Sequence, residues 1–258
     1  MGKILTIGLN TFREAIRNKI LYSLLFFALI VIVGSMAFGA LSVREEARLT
    51  TDLGLGGMSL FSVIIAIFVG VNLVYKELER KTIYSLIPKP VHRYQFVLGK
   101  YLGMLITLSV LLLVMTLVLF GVVALQGETL SAPLIKMALL IFLEVTVVTA
   151  VAVLFSSFST PFLSGLFTLG IFMLGRSVPD IRALSVKLMD PEGGNIAAAW
   201  VLDMVTRILP NLRLFYASGT ENGGAYATVH GAFPDWGYVG IAAGYAGLYA
   251  SLVLMLAI

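Results

Sequence analysis

Long apolar runs dominate this 258-residue chain, and charged residues mark where each run begins and ends. Hydrophobic residues make up 59% of the sequence and charged residues 12%, whereas roughly 25% of a soluble domain is charged. A bilayer admits only helices or closed barrels, because backbone polar groups find no water there. The sequence therefore predicts an all-α integral membrane protein.

The longest apolar run, Met137–Gly175, is about twice as long as one crossing requires. Its middle reads SSFSTPF, in which the hydroxyl residues and Pro161 favour a tight turn. We therefore predict two helices in this run and six membrane-spanning helices in a single domain, 1–258. Their predicted bounds are 20–43, 53–75, 101–127, 137–155, 162–178 and 236–258.

Lysine and arginine in the connecting segments predict the orientation of the chain. They are concentrated before the first span and in residues 76–100, whereas the first loop offsets Arg44 and Arg48 with acidic residues. The positive-inside rule then places residues 76–100 and both termini in the cytoplasm, and residues 176–235 outside. We expect a multi-pass protein of the cytoplasmic (inner) membrane.

Residues 3–19 have the pattern of an amphipathic helix lying in the cytoplasmic membrane interface. Such a helix buries an apolar stripe in lipid and holds its cations on anionic headgroups. The alternative is an ordinary basic flank, which the persistence of the stripe over four turns disfavours. The stripe is Leu5, Leu9, Phe12, Ile16 and Ile20, and the cations outside it are Lys3, Arg13 and Arg17.

The external segment 176–235 is too long for a structureless connection. Residues 195–209 within it predict a helix, with Asn195 as N-cap and Pro210 as stop signal. The following Gly-rich stretch predicts a loop. One stripe of the predicted helix carries Ile196, Trp200, Met204 and Ile208.

Residues 76–100 are the long charged interruption between the second and third spans. Glu77 and Lys81 have the i,i+4 spacing of an exposed helix, which we expect to continue out of the second span, and Pro88 and Pro90 end that helix. Retention of an inner loop explains the lysines and arginines, but not the paired acids, the two prolines or the apolar face. That face consists of Leu78, Ile83, Leu86 and Ile87.

This segment resembles the first cytoplasmic loop of type-2 ATP-binding-cassette (ABC) exporter permeases, a class that includes the nitrous-oxide-reductase maturation permease. Members carry an acidic, basic, Thr-containing helix, a Lys-Pro-Val-x-Arg turn, and an aromatic residue and Gly-Lys before the next helix. TFREAIRNK near the N-terminus is similar to the family's connecting helix, and Leu209–Phe215 resembles a motif before its last span. The matching loop residues are Glu77, Glu79, Lys81, Thr82, Lys89, Pro90, Val91, His92, Arg93, Phe96, Gly99 and Lys100.

The resemblance implies a permease subunit that pairs with a second copy and docks on a separate cytoplasmic ABC ATPase. ATP and Mg²⁺ would then be bound by the ATPase, and this chain has no GxxxxGK[ST] motif of its own. Relatives often carry a short basic tail after the last helix, whose role does not carry over to this chain. The residues implied to couple to the ATPase are Glu77, Glu79, Lys81, Thr82, Leu86, Pro88, Lys89, Pro90 and Arg93.

Two other functions stay open from the residues. One is a membrane scaffold that uses the ATPase to act on an extracytoplasmic partner through residues 176–235. The other is a proton-coupled carrier using Glu144, which lies midway along the fourth span. An intramembrane carboxylate marks a substrate path or a proton relay, or is a neutral group hydrogen-bonded across helices, for example to Thr146 or Thr149 of a second copy.

Three other intramembrane residues are candidates for helix packing. Asn72 lies near the inner end of the second span and can hydrogen-bond within the bundle. Gly240 and Gly244 have the GxxxG spacing that lets two helices approach closely. We expect Gly240 and Gly244 to serve packing, whereas for Asn72 an intramembrane path stays open beside packing.

The sequence predicts neither a catalytic nor a metal site, and the net charge of +4 is not taken as a sign of nucleic-acid binding. There are no cysteines, and His92 and His230 are far apart. Ser164-Gly165 suggests an intramembrane serine protease, but no histidine lies in the spans. We therefore expect a transport subunit and not an enzyme, with lipid as its surroundings.

Overall fold

The computed structural model describes residues 2–40, 46–79, 92–127, 132–189, 195–216, 221–222, 225–226 and 235–258, and these are largely helical. A 3-10 helix spans Leu212–Phe215, and the two-residue strands β1 (Glu221–Asn222) and β2 (Ala225–Tyr226) pair antiparallel. The α-helices are α1 (Gly2–Ile16), α2 (Lys19–Gly39), α3 (Glu46–Glu79), α4 (Arg93–Leu125), α5 (Ala132–Ser156), α6 (Pro161–Arg176), α7 (Val178–Leu188), α8 (Ile196–Ile208) and α9 (Trp236–Ala257).

Five helices of the described chain are long and apolar enough to cross a membrane: α2, α4, α5, α9 and the part of α3 between Arg48 and Val71. Helices α6 and α7 together are also long and apolar enough to cross, and they give a sixth span if they are counted as one. Their axes are bent by 61° at Ser177. The predicted class, an all-α integral membrane protein, is confirmed.

Two of the crossing helices, α3 and α4, extend beyond the predicted span bounds on the side of residues 76–100. The third crossing helix begins at Arg93 rather than Tyr101, and α3 continues beyond residue 75 to Glu79. The predicted bounds follow charges, which mark the edge of the hydrocarbon, but a charged residue does not end a helix. At the start of α4, the His92 N–H donates to Gln95 Oε1 over 3.4 Å and so caps an extra two turns outside the apolar run.

The predicted span 162–178 contains the bend between α6 and α7. Helix α6 starts at Pro161, directly after the SSFST turn, and it ends at Arg176. Pro179 lies in the first turn of α7, where a missing N–H costs no intrahelical bond. The chain therefore changes direction at Ser177, directly after Arg176 ends the apolar run.

Helix α5 lies at the centre of the bundle and packs against α3, α4, α6 and α9. Helix α9 turns a stripe of small residues inward, in which Ala242, Ala246 and Ala250 are buried. The Tyr101 hydroxyl of α4 donates to the Thr146 carbonyl of α5 over 3.0 Å. These contacts make α3, α4, α5 and α9 the core that positions the site.

Helix α1 crosses the first turns of α4 at very short range. A side chain at Gly103 would overlap the Gly8 carbonyl oxygen and the Cβ of Thr11, and a Cβ at Gly99 would lie 2.8 Å from that of Ile7. The small face of α1 thus packs on Gly99-x-x-x-Gly103, a contact that only glycine permits. Leu5 and Leu9, from the predicted apolar stripe, are exposed on another side of α1.

Candidate functional site

A buried ion pair joins α5 to the end of α6. Arg176 Nε donates to Glu144 Oε1 over 2.9 Å, and Arg176 Nη2 donates to Glu144 Oε2 over 3.0 Å. Glu144 is fully buried, while the Arg176 side chain keeps 25% of its exposure. Two parallel N–H···O bonds between a guanidinium and a carboxylate fix the relative position of both helices as well as neutralising the charges.

Ser59 of α3 completes the network. Its hydroxyl donates to Glu144 Oε2 over 2.9 Å and accepts from Arg176 Nη2 over 2.6 Å. The guanidinium also lies over the rings of Phe172 and Tyr216, at 4.9 and 4.3 Å from their centroids. One arginine therefore connects α3, α5, α6 and the residue that follows the 3-10 helix.

The backbone around Arg176 holds its side chain in place. A Cβ at Gly175 would lie 2.8 Å from the Pro210 carbonyl oxygen and 2.9 Å from Leu212 Cγ. The segment 209–216 therefore rests directly on the end of α6, and Leu212 and Phe215 are completely buried there. This close approach brings Tyr216 over the guanidinium.

Three tyrosines of α9 hold the same segment from the other side. The Tyr245 hydroxyl accepts from the Asn211 N–H over 2.9 Å, and the Tyr238 hydroxyl donates to the Leu214 carbonyl over 2.7 Å. The Tyr249 hydroxyl donates to the Ile208 carbonyl over 3.3 Å. The Leu209–Phe215 motif is thus a structured wedge between α6 and α9 and not a free loop.

This arrangement is suited to a mechanical joint rather than to a reaction. Both carboxylate oxygens of Glu144 accept hydrogen bonds from neighbouring helices, so the carboxylate is held by protein groups. In the part of the chain that the structure describes, no three His, Asp or Glu side chains are grouped in a way that could hold a metal ion. Breaking the pair would strand a charge in a low-dielectric interior, which is costly.

The structure gives Glu144 partners that the sequence interpretation missed. Thr146 and Thr149 donate to carbonyls of their own helix, those of Phe142 and Val145. Arg176, the ion-pair partner of Glu144, is placed by the sequence prediction only at the edge of the external segment 176–235. A lone arginine directly ending an apolar run, opposite a lone intramembrane acid, was the available signal.

The other intramembrane candidates are not part of this site. Gly240 and Gly244 lie on the outer side of α9, where an added Cβ would meet no atom of the described chain within 4 Å. Within the part of the chain that the structure describes, the two glycines therefore do not mediate helix packing. Asn72 lies in α3, and its side chain falls outside the described residues.

The residues implied to couple to the ATPase lie at and beyond the ends of two helices. Glu77 and Glu79 belong to the last turn of α3, although their side chains are not among those described. Arg93 is exposed at the start of α4. The remaining six, Lys81, Thr82, Leu86, Pro88, Lys89 and Pro90, lie outside the described residues.

Comparison with known proteins identifies the class to which this bundle belongs. A family model described as ABC-2 family transporter protein matches residues 5–215, and the chain belongs to this family. It is a membrane permease component of an ABC transporter and is not itself catalytic; the family implies a cytoplasmic ABC ATPase as its partner. No curated protein sequence matches the chain.

Proposed function

We propose that this chain is one half of a homodimeric ABC exporter permease and that residues 76–100 dock on the cytoplasmic ATPase. ATP and Mg²⁺ are then held by the ATPase, and the permease converts its closure into movement of the spans. The observation that carries this proposal is the unbroken course of α3 from Glu46 to Glu79.

The length of α3 supports a lever that runs from the cytoplasmic segment to the buried ion pair. Its 34 residues extend about 51 Å at 1.5 Å per residue, well beyond a hydrocarbon core of about 30 Å. Ser59 lies about 30 Å from Glu79 along the same helix. A displacement at Glu79 therefore reaches the Ser59–Glu144–Arg176 network without crossing a loop.

Helix α4 returns from the same segment and is also longer than the bilayer, with 33 residues from Arg93 to Leu125. Helix α1 clamps its first turns at Gly99 and Gly103. The segment 80–92 is therefore flanked by two rigid helices, and the second of them is braced by α1. A docked ATPase would move this unit as a whole.

Co-purification of the ABC ATPase expressed together with the permease tests the proposal. The double variant Glu79→Arg/Leu86→Asp should lose the ATPase, because it reverses a charge and places another in the apolar face of the docking segment. The matched control is Asp203→Arg, a charge reversal in α8 at a site remote from that segment, which should retain it. Retention by the double variant would contradict docking through residues 76–100.

The folded segment between α6 and α9 supports a second candidate, a subunit that drives work on an extracytoplasmic partner. Arg176 couples this segment to α3 as well as to α5. Substrate-stimulated ATPase activity of the reconstituted complex would favour export, and stimulation by a bound protein partner would favour the second candidate. The proton-carrier hypothesis is disfavoured because Glu144 is fully buried and is held by an ion pair with two hydrogen bonds to Arg176.

A further inference from the structure

Helix α3 carries three glycines within one turn, Gly54, Gly56 and Gly57, in the part of the helix that is apolar enough to cross the membrane. Glycine is the least helix-favouring residue after proline, because its backbone has the most freedom to lose. Since α3 contains no proline, residues 54–57 are the place where this helix bends most easily.

Packing explains two of these glycines but not the third. A Cβ at Gly54 would lie 2.5 Å from Leu119 Cδ1 of α4, and a Cβ at Gly57 would lie 2.8 Å from a valine methyl group of α2. At Gly56, the nearest atom of the described chain is the Tyr216 hydroxyl oxygen, 3.8 Å away, which is an ordinary contact. Alanine would fit at Gly56 and would favour the helix. Backbone freedom therefore accounts for the glycine at this position.

A side-chain hydrogen bond weakens the turn that follows the glycines. The Ser62 hydroxyl donates to the Met58 carbonyl, four residues earlier in the same helix, over 2.6 Å. A serine that bonds back in this way competes with the backbone N–H for the carbonyl, and it often bends the helix. Residues 54–62 therefore combine two features that favour bending.

The N-terminal part of α3, before the glycines, is tied to α2 and to the end of α4. Thr50 is fully buried, and its hydroxyl donates to the Ser35 carbonyl of α2 over 3.4 Å. The same hydroxyl accepts from Nε2 of Gln126, the C-cap residue of α4, over 2.9 Å. These bonds fix the N-terminal part to α2 and α4.

The C-terminal part of α3, after the glycines, is tied to α5 and α6. Ser59 bonds to Glu144 of α5 and to Arg176 of α6. Farther along, Gly70 lies directly against α5, where an added Cβ would be 2.7 Å from that of Ala152. In the described chain, the strong interhelical hydrogen bonds of α3 thus pass from α2 and α4 to α5 and α6 across the glycines.

Contacts between α4 and the turn after the glycines are weak and adaptable. Thr116 Oγ1 lies 3.9 Å from Met58 Sδ, and Ser62 Oγ lies 3.8 Å from Met115 Sδ. Thioether sulfur is a weak acceptor, and methionine side chains adapt to irregular space. Both methionines are fully buried. Helix α3 can therefore shift against α4 by repacking side chains rather than by breaking strong bonds.

We propose that α3 bends at Gly54–Gly57 during ATP turnover and that its C-terminal part, Met58–Glu79, moves together with α5 and α6. The N-terminal part keeps its bonds to α2 and α4. About 21 Å of helix separates Gly56 from Gly70, so a change of about 20° in the bend shifts Gly70 by roughly 7 Å. This hinge rests on the proposed function for its driving force, but its position in α3 does not depend on where the ATPase docks.

The activity of Gly56→Ala tests the hinge, because the local packing accommodates the added methyl group. In the reconstituted complex with the ABC ATPase, this variant should hydrolyse ATP roughly threefold more slowly or less, with an equal or higher melting temperature. The matched control is Gly34→Ala in α2, where no atom of the described chain lies within 4 Å of the added Cβ. The control should keep the wild-type rate. Both variants should still co-purify the ATPase, which separates this result from a failure of docking.

Distances between spin labels test the movement directly, because the sequence contains no cysteine. The variant Tyr22→Cys/Phe162→Cys places labels at exposed positions near the starts of α2 and α6, across the hinge. Trapping the complex with Mg-ATP and vanadate should change their distance by roughly 5 Å or more. The control pair Phe38→Cys/Leu49→Cys lies in α2 and the N-terminal part of α3, on one side of the hinge, and its distance should change much less.

A measurement on the permease alone does not require the ATPase. Without nucleotide, the distance distribution of the Tyr22→Cys/Phe162→Cys pair should be broader than that of the control pair. Addition of Gly56→Ala should narrow it, because alanine restricts the backbone. An ATPase that does not bind would leave this expectation unchanged and would count against the proposed function alone.

Three outcomes would overturn the hinge. A wild-type hydrolysis rate in Gly56→Ala would show that turnover does not require bending at this position. An equal Tyr22–Phe162 distance with and without trapped nucleotide, in a complex that hydrolyses ATP, would show that the two groups of helices do not move apart. A lowered melting temperature or loss of the dimer in Gly56→Ala would show that this glycine serves packing, for example against a second copy.

Discussion

Among single residues, Glu144 and Arg176 define how the bundle is held at the end of α6. Each is the charged partner of the other across two helices, and Ser59 bonds to both. A pair of this kind is weak evidence for net stability, since well-packed apolar residues often serve as well. Its stronger consequence is that loss of one partner leaves the other charge uncompensated.

We predict that Arg176→Met destabilises the subunit by roughly 3–5 kcal/mol, because Glu144 is then buried without its cation. The double variant Glu144→Gln/Arg176→Met should recover part of that loss. Thermal unfolding in detergent measures both. Arg213→Met is the matched control, since its 3.2 Å pair with the mostly exposed Asp180 should be worth only about 0–1 kcal/mol. Equal effects of Arg176→Met and Arg213→Met would contradict the role given to the buried pair.

Between elements, the crossing of α1 and α4 depends on the absence of side chains at Gly99 and Gly103. Backbone and Cβ atoms of α1 occupy the space that a methyl group would need. Neither partner can yield by rotating a flexible side chain. The brace on the first turns of α4 is therefore intolerant of even the smallest substitution.

Replacing Gly103 by Ala should destabilise the protein by about 1–3 kcal/mol through overpacking and should weaken ATPase coupling. Gly121→Ala in the same helix is the control, because open space surrounds that position. It should be neutral or should stabilise by up to about 1 kcal/mol, as expected for alanine in a helix. Detergent melting curves and the ATPase rate of the reconstituted complex report the two effects. Identical behaviour of the two variants would exclude the close crossing.

A corresponding contrast exists within α9. Ala246 is fully buried on the side of α5, whereas Gly240 and Gly244 face outward. Ala246→Leu should therefore cost about 1–3 kcal/mol of subunit stability. Gly240→Leu/Gly244→Leu should leave the melting temperature unchanged, and a chemical cross-linking assay in the same preparation would report whether a second copy packs on the glycines. A large loss of stability in the glycine variant would contradict their outward position.

At the scale of the whole molecule, long apolar runs and the turn signal of SSFSTPF were sufficient to predict an all-helical membrane bundle. The helix 196–208 was also readable, because Asn195 caps it and Pro210 follows it. These features are local, so neighbouring residues determine them. The start of α4 was not readable, because charge reports the membrane edge and not the end of a helix. The helical pattern of residues 77–87 did predict that the second-span helix continues beyond residue 75.

The contacts of the site depend on residues far apart in the chain, and no local pattern contains them. Arg176 meets Ser59 across 117 positions and Glu144 across 32. The bend at Ser177 was missed because the predicted span continued past Arg176 to Val178, although Pro179 favours the start of a new helix. Gly99 was noted as part of a loop motif, but its role against Ile7 appears only once α1 has folded back on α4.

The tyrosine hydroxyls of α9 have a consequence for the direction in which this helix can move. Tyr238, Tyr245 and Tyr249 each form a hydrogen bond with a backbone group in residues 208–214. The three bonds are spaced along the axis of α9. Sliding of α9 along its own axis would break all three bonds at once, whereas a sideways swing that carries residues 208–216 along would break none. We therefore expect α9 and residues 208–216 to move as one unit.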